Sequence, residues 1–175
     1  LLAASEFVIA VNEVTRSYEG HQVGTVGMIS AEPGAPNVIP GKVVMSLEIR
    51  DLSSEKILSM YEDMRKRADE IAGRHGVKFS FSATDATGKP AITDPQMRDM
   101  IEKNAQSLGL STKRMQSGAG HDAQDMALIA PTGMIFVPSK EGISHSPDEF
   151  TSASDMANGA NVLLQTILSL DKELD

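Results

Sequence analysis

Residues 43–50 alternate without interruption: Val43, Met45, Leu47 and Ile49 fall on one side, and Val44, Ser46, Glu48 and Arg50 on the other. A period of two over eight residues is the signature of a half-buried strand, and a strand of this kind needs a partner and a cover for its apolar face. The flanking segments supply both. Residues 1–18 carry Leu2, Phe7, Ile9, Ala10, Val11 and Val14 on a broad apolar face, predicting a helix that Gly20 closes. Val23 to Ala31 predicts the partner strand, with Gly24 and Gly27 marking a close backbone approach or a bulge. After the strand, Ser53 or Ser54 is placed to cap a helix in which Ile57, Met60, Tyr61, Met64, Ala68 and Ile71 recur at helical spacing. Arg74, His75 and Gly76 end it. Val77, Phe79 and Phe81 then alternate in a third strand, 77–83. The order helix, strand, strand, helix, strand predicts a small α+β unit short of one strand.

The Gly-, Pro-, Asp- and Thr-rich stretch 84–95 reads as a connection between two parts, 1–88 and 89–175. Beyond it the pattern predicts a helix over 95–108, a short helix from about Asp122 to Ile129, a buried strand over 133–138 and a long last helix. The last helix is opened by a capping-box pattern, Ser152-Ala153-Ser154-Asp155. Alternating helix and strand predicts an α/β arrangement for this second part. The first helix begins at full hydrophobicity, without Met or a capping residue ahead of it, so further residues are expected upstream.

Composition excludes several classes. Sixteen Lys and Arg against 24 Asp and Glu give a net charge of −8, which argues against a phosphate-binding nucleic-acid surface. There is no cysteine, hence no disulfide, thiolate nucleophile or cysteine metal site, as suits a cytoplasmic protein. No apolar run approaches the ~18 residues of a membrane span, and no basic leader is visible. The ten methionines sit mostly at core spacing and read as packing.

Three groups of residues could carry chemistry. His145 lies in a loop punctuated by Gly142, Ser144, Ser146 and Pro147, directly after the apolar run Met134-Ile135-Phe136-Val137, and is followed by Asp148 and Glu149. That placement suits a metal ligand delivered from a strand's carboxyl end, or an ordinary loop histidine; one imidazole alone makes no metal site. In Ser117-Gly118-Ala119-Gly120-His121-Asp122 the small residues allow backbone amides to approach an anion, or simply make a tight turn with Asp122 as N-cap. Asn37, in a Pro-bounded turn, and Arg50, ending the alternating strand, could orient a carbonyl and hold a carboxylate. They could equally be a turn residue and a surface cation paired with Glu48 or Asp51. His75 and His21 read as structural.

Six runs occur together in one order: Val23-Gly24-Thr25-Val26-Gly27, Asn37-Val38-Ile39-Pro40-Gly41, Leu47-Glu48-Ile49-Arg50-Asp51, Ser117-Gly118-Ala119-Gly120-His121-Asp122-Ala123, Met134-Ile135-Phe136-Val137-Pro138-Ser139 and Gly142-Ile143-Ser144-His145. On these the chain resembles the C-terminal part of the zinc- or manganese-dependent amidohydrolases that include N-carbamoyl-L-amino-acid hydrolase, allantoate amidohydrolase and β-ureidopropionase. They are relatives of the dinuclear aminoacylases and carboxypeptidases.

The resemblance implies a lid, or dimerisation, domain over 1–88 and the last section of an α/β catalytic domain over 89–175. It implies that His145 is one ligand of a site for two divalent metal ions. It implies that Asn37 and Arg50 reach from the lid into the partner subunit of a homodimer to bind a small ureido carboxylate. Gly118, Ala119, Gly120, His121 and the backbone at Ser144 would line the pocket. No catalytic base and no second ligand matches a position of this chain. The chain alone is therefore expected to be inactive, as part of a hydrolase of non-peptide carbon–nitrogen bonds. An aminoacylase or exopeptidase with the same metal centre, or a non-catalytic dimerisation module, are the alternatives.

Overall fold

The computed structural model describes residues 1–83 and 88–174. Residues 84–87, within the expected connection 84–95, lie outside the described set. The chain divides into two compact units, Leu1–Pro90 and Ala91–Asp175.

The first unit runs α1 (Leu2–Ser17), β1 (Val23–Thr25), β2 (Ile29–Glu32), β3 (Lys42–Met45), β4 (Glu48–Arg50) and α2 (Ser54–His75). Each of the two expected strands is divided in two. β1 pairs antiparallel with β4, matching Val23 with Arg50 and Thr25 with Glu48, and β2 pairs antiparallel with β3, matching Ile29 with Met45 and Glu32 with Lys42. Between the ladders, residues 26–28 face only residues 46–47, so one strand carries a spare residue and the ribbon is bulged. Ser46 holds the junction: its hydroxyl accepts from the amides of Gly27 (3.2 Å) and Met28 (3.0 Å), and its own amide donates to the Met28 carbonyl (3.1 Å). The alternation on the second strand survives the bulge. Met45, Leu47 and Ile49 pack against the core while Val44, Glu48 and Arg50 remain exposed.

That core lies between α1 and α2. Phe7, Ala10, Val11 and Val14 of α1 interlock with Met60, Met64, Ala68 and Ile71 of α2, all buried. β1 approaches α1 so closely that a Cβ on Gly24 would collide with the Thr15 hydroxyl, itself tied to the Val11 carbonyl at 2.7 Å. α2 begins and ends as its sequence predicts. Ser53 accepts from the Lys56 amide at 3.2 Å, and Gly76 takes the left-handed conformation (φ 62°) and donates to the Ala72 carbonyl. α1 instead stops at Ser17 with an extended Tyr18, before Gly20. Segment 77–83 joins no ladder among the described residues. Its alternation still selects a face: Phe79 and Phe81 meet Phe7 with ring centroids 5.4 and 5.9 Å apart.

The second unit has α3 (Pro95–Ser107), α4 (Ala123–Met126), a 3₁₀ turn (Lys140–Gly142) and α5 (Ala153–Leu174). Asp94 caps α3 by accepting from the Met97 amide at 2.9 Å, with Pro95 in the first turn. α3 packs on α5 through Ala105, Val162 and Thr166, and Asn104 clasps Thr166 and Ser169 at 3.3 Å each. The expected strand 133–138 joins no ladder among the described residues. It is held by helices instead: Gly133 lies against Met97 and Ile101 of α3, and Val137 fills the space left by Gly159 of α5. Among the described residues no helix is long and apolar enough to cross a membrane.

Candidate functional site

In the first unit, Arg50 ends β4 on the exposed face of the ribbon. Its Nε donates to Oε1 of Glu48 at 2.9 Å and its Nη2 lies 2.8 Å from the same oxygen, in an ion pair about half exposed on both sides. Such a pair is worth roughly 0–1 kcal/mol, so another carboxylate can replace Glu48 at little cost. The strand end behind Arg50 is better fixed. Lys56 Nζ donates to the Glu19 carbonyl (2.6 Å), Gln22 Oε1 (2.7 Å) and Asp51 Oδ2 (3.1 Å), joining the exits of α1 and β4 to the first turn of α2. Burial works to raise the Asp51 carboxyl, but the Ser53 amide and the Lys56 ammonium outweigh it and leave the pKa below its ordinary value. Asn37 is exposed in the loop that closes the other end of the ribbon, where the Val38 amide donates to the Ala35 carbonyl at 3.2 Å. Asn37 and Arg50 therefore belong to opposite ends of one ribbon.

In the second unit, Gly118, Ala119, Gly120 and His121 form an exposed loop that enters α4. α4 is a single turn of four residues, shorter than the expected 122–129, so it provides no extended helix dipole for an anion. Asp122 does not cap it. The cap is His121, whose Nδ1 accepts from the Ala123 amide at 3.0 Å, while Gln124 Oε1 accepts from the His121 amide at 3.3 Å. This is the reciprocal logic of a capping box with an imidazole in the hydroxyl's place. With Nδ1 accepting, a neutral ring carries its proton on Nε2 and presents it as a donor. The signal for this arrangement, Gln three residues after His, is legible in the sequence.

Ser144 and His145 are exposed in the loop after the 3₁₀ turn. Three residues here are left-handed: Glu141 (φ 56°), Gly142 (φ 70°) and His145 (φ 54°). For residues with a Cβ such a conformation costs on the order of 1–3 kcal/mol and persists only where the surroundings impose it. The loop ends are clamped by the Lys140 amide donating to the Phe150 carbonyl (2.8 Å) and the Ser139 hydroxyl donating to the Ile143 carbonyl (2.5 Å). Glu149, in sequence simply an acidic residue after His145, accepts through Oε2 from the His145 amide at 2.8 Å.

His75 is structural, as expected: its Nε2 lies 2.7 Å from Glu6 Oε1, and Arg74 Nη2 donates to Glu6 Oε2 at 2.7 Å, tying the end of α2 to α1. Arg74 first and His75 second hold the Glu6 carboxyl below its ordinary range.

The donor set bears on metal binding. The His145 side chain is exposed, and an accessible imidazole is chemically competent as a metal donor. Among the described residues no three His, Cys, Asp or Glu come together as a group that could hold a metal ion.

Residues 5–169 match the family described as Peptidase family M20/M25/M40. The chain is 39% identical over 173 residues to ureidoglycolate hydrolase of Arabidopsis thaliana, covering 97% of this chain and 36% of that protein. It is 35% identical over 170 residues to N-carbamoyl-L-amino acid amidohydrolase of Geobacillus stearothermophilus, covering 97% and 41%. Among solved structures, an amidase of the hydantoinase/carbamoylase family from Burkholderia multivorans superimposes with a TM-score of 0.86 at 34% identity, over 96% of this chain and 41% of that one. The chain thus spans about two fifths of the length of these relatives. Sequence match and shared fold agree along almost the whole chain, which belongs to peptidase family M20/M25/M40.

Proposed function

We propose that the protein is a metal-dependent amidohydrolase that cleaves a carbon–nitrogen bond of a ureido carboxylate, such as an N-carbamoyl-L-amino acid, allantoate or ureidoglycolate. The observation that carries this reading is His145, an exposed imidazole held in a left-handed backbone in the loop between the 3₁₀ turn Lys140–Gly142 and α5. The names of the relatives support the substrate class, since N-carbamoyl-L-amino acids and ureidoglycolate are both ureido carboxylates. Amidohydrolases of this family are generally metal-dependent.

On this reading His145 supplies one ligand to a pair of Zn or Mn ions, and further donors complete the set. A metal pair held there would supply Lewis acidity and lower the pKa of water toward neutrality. Arg50 exchanges Glu48 for the carboxylate of a substrate held by the partner subunit, and Asn37 orients that substrate's amide from the ribbon's loop. His121 donates through Nε2 to a substrate oxygen, beside backbone amides of Gly118, Ala119 and Gly120. Ser144 lines the pocket through its backbone. Residues 1–88 act as the lid and 89–175 as the last section of the catalytic domain. Two such lids pair in a homodimer; the ribbon's exposed Ile29 and Val44, and strand edges that pair with no further strand among the described residues, support that reading.

The test is a comparison of turnover by the complete protein loaded with Zn or Mn, using N-carbamoyl-L-amino acids, allantoate, N-acyl amino acids and dipeptides. Ureido substrates should release ammonia at the highest kcat/KM. Preferential cleavage of dipeptides or N-acyl amino acids would replace this reading with an exopeptidase or aminoacylase. An inactive, metal-indifferent dimer would leave only a dimerisation module.

A further inference from the structure

His145 does not occupy its backbone conformation by default. Its φ of 54° lies in a region that is costly for any residue with a Cβ, and neither neighbour, Ser144 or Ser146, is a glycine that could take the turn instead. The two clamps of the loop act at Ser139–Ile143 and Lys140–Phe150, outside the segment 144–149. Within that segment the chain doubles back: the Glu149 amide donates to the Ser146 carbonyl (3.0 Å) and the Asp148 amide to the Ser146 hydroxyl (3.3 Å). Pro147 removes one competing donor. The fold-back brings the Glu149 carboxylate to the His145 amide, where Oε2 accepts at 2.8 Å. A carboxylate on an amide is a charge-assisted bond, stronger than a neutral one.

We propose that Glu149 is a positioning residue that holds His145 in its left-handed conformation and so aims the imidazole at the metal. This rests on the reading of His145 as a ligand. Glu149 itself donates nothing to the metal and touches no substrate. Its action is the backbone counterpart of the outer-shell carboxylates that fix ligand orientation, whose loss typically costs 10–100-fold in metal affinity.

The test uses the complete protein, Zn²⁺ alone and a competing chromogenic chelator, with Glu149→Ala, Glu149→Gln and His145→Ala compared to the unaltered protein. Glu149→Ala should weaken Zn²⁺ binding by about 10–100-fold while leaving the melting temperature of the metal-free protein unchanged. The His145 amide proton should be shifted downfield in the unaltered protein and move upfield in Glu149→Ala. Glu149→Gln keeps a carbonyl acceptor at the same reach and should restore most of both. Unchanged Zn²⁺ affinity in Glu149→Ala, with affinity lost in His145→Ala, overturns the inference and leaves the ligand reading standing. Full affinity in His145→Ala overturns the ligand reading and the inference with it. An amide proton of His145 without a downfield shift in the unaltered protein overturns the inference without any variant.

Discussion

The two units differ in how they are closed. The first surrounds its own core: Phe7, Met60, Met64 and Ile71 are sealed between two helices, the ribbon and the 79–81 segment. The second joins α3 to α5 through Ala105, Val162 and Thr166, and leaves Leu163, Leu164, Ile167 and Leu168 of α5 about half exposed. Its loops, not its helices, carry His121, Ser144 and His145. The difference teaches that packing energy and reactive side chains are concentrated in different places, so substitutions in the two units should fail in different ways.

The sharpest test of that contrast pairs two core truncations. Met64→Ala, at a site with no exposure, should destabilise by about 2–5 kcal/mol. Val162→Ala, removing about two methylene equivalents from a thinner core, should cost about 1.5 kcal/mol. Equal losses in chemical denaturation would dissolve the distinction. Next in size, Arg50→Ala should leave denaturation unchanged and reduce kcat/KM by the equivalent of about 2–4 kcal/mol through KM, since it removes charge-assisted bonds to a carboxylate. A fall in kcat at constant KM would remove Arg50 from substrate binding. Gly24→Ala drives a Cβ into Thr15 and Met64 and should cost about 1–3 kcal/mol, read by thermal melting. A neutral result would show that β1 can move away from α1.

The smallest expected effect is the pH response. Glu6, Asp51 and Asp63 in the first unit all have carboxyls below their ordinary values; at Asp63 the cause is Lys66 first and Tyr18 second. A carboxyl depressed in the folded state adds stability above its unfolded pKa and loses it as pH falls through the folded value. The first unit should therefore lose stability below about pH 4, and Glu6→Gln should flatten that slope slightly. An unaltered slope would mean that the exposed Glu6 cluster contributes nothing.

Much of the first unit was legible because apolar period reports which face is buried. Met45, Leu47, Ile49, Phe79 and Phe81 all turn toward the core as their spacing predicts. Hydrogen-bond partners are another matter. Alternation at 77–83, and the apolar run at 133–138, specify a buried side but not a neighbouring strand, and neither joins a ladder among the described residues. Gly24 and Gly27 announced a close approach or a bulge; which of the two occurs where depends on Thr15 and Ser46, distant in sequence. At the candidate site, residue types were readable but local roles were not. His121 displaced Asp122 as cap because the imidazole Nδ1 reaches the Ala123 amide. The partner of Glu149 is a backbone amide, which residue types and spacing do not specify.

The spare residue at 26–28 makes the ribbon asymmetric toward insertion and deletion. On the first strand the positions that share a face with Met45, Leu47 and Ile49 run 24 and 26 and then 29 and 31, while the second strand keeps a single parity throughout. A one-residue deletion within 26–28 would let the pairing run through, with every side chain of 29–32 and 42–50 still facing as before. The same deletion anywhere else in the paired segments would turn part of the ribbon inside out. Length variation in this ribbon is therefore confined to two places, the junction opposite Ser46 and the loop carrying Asn37.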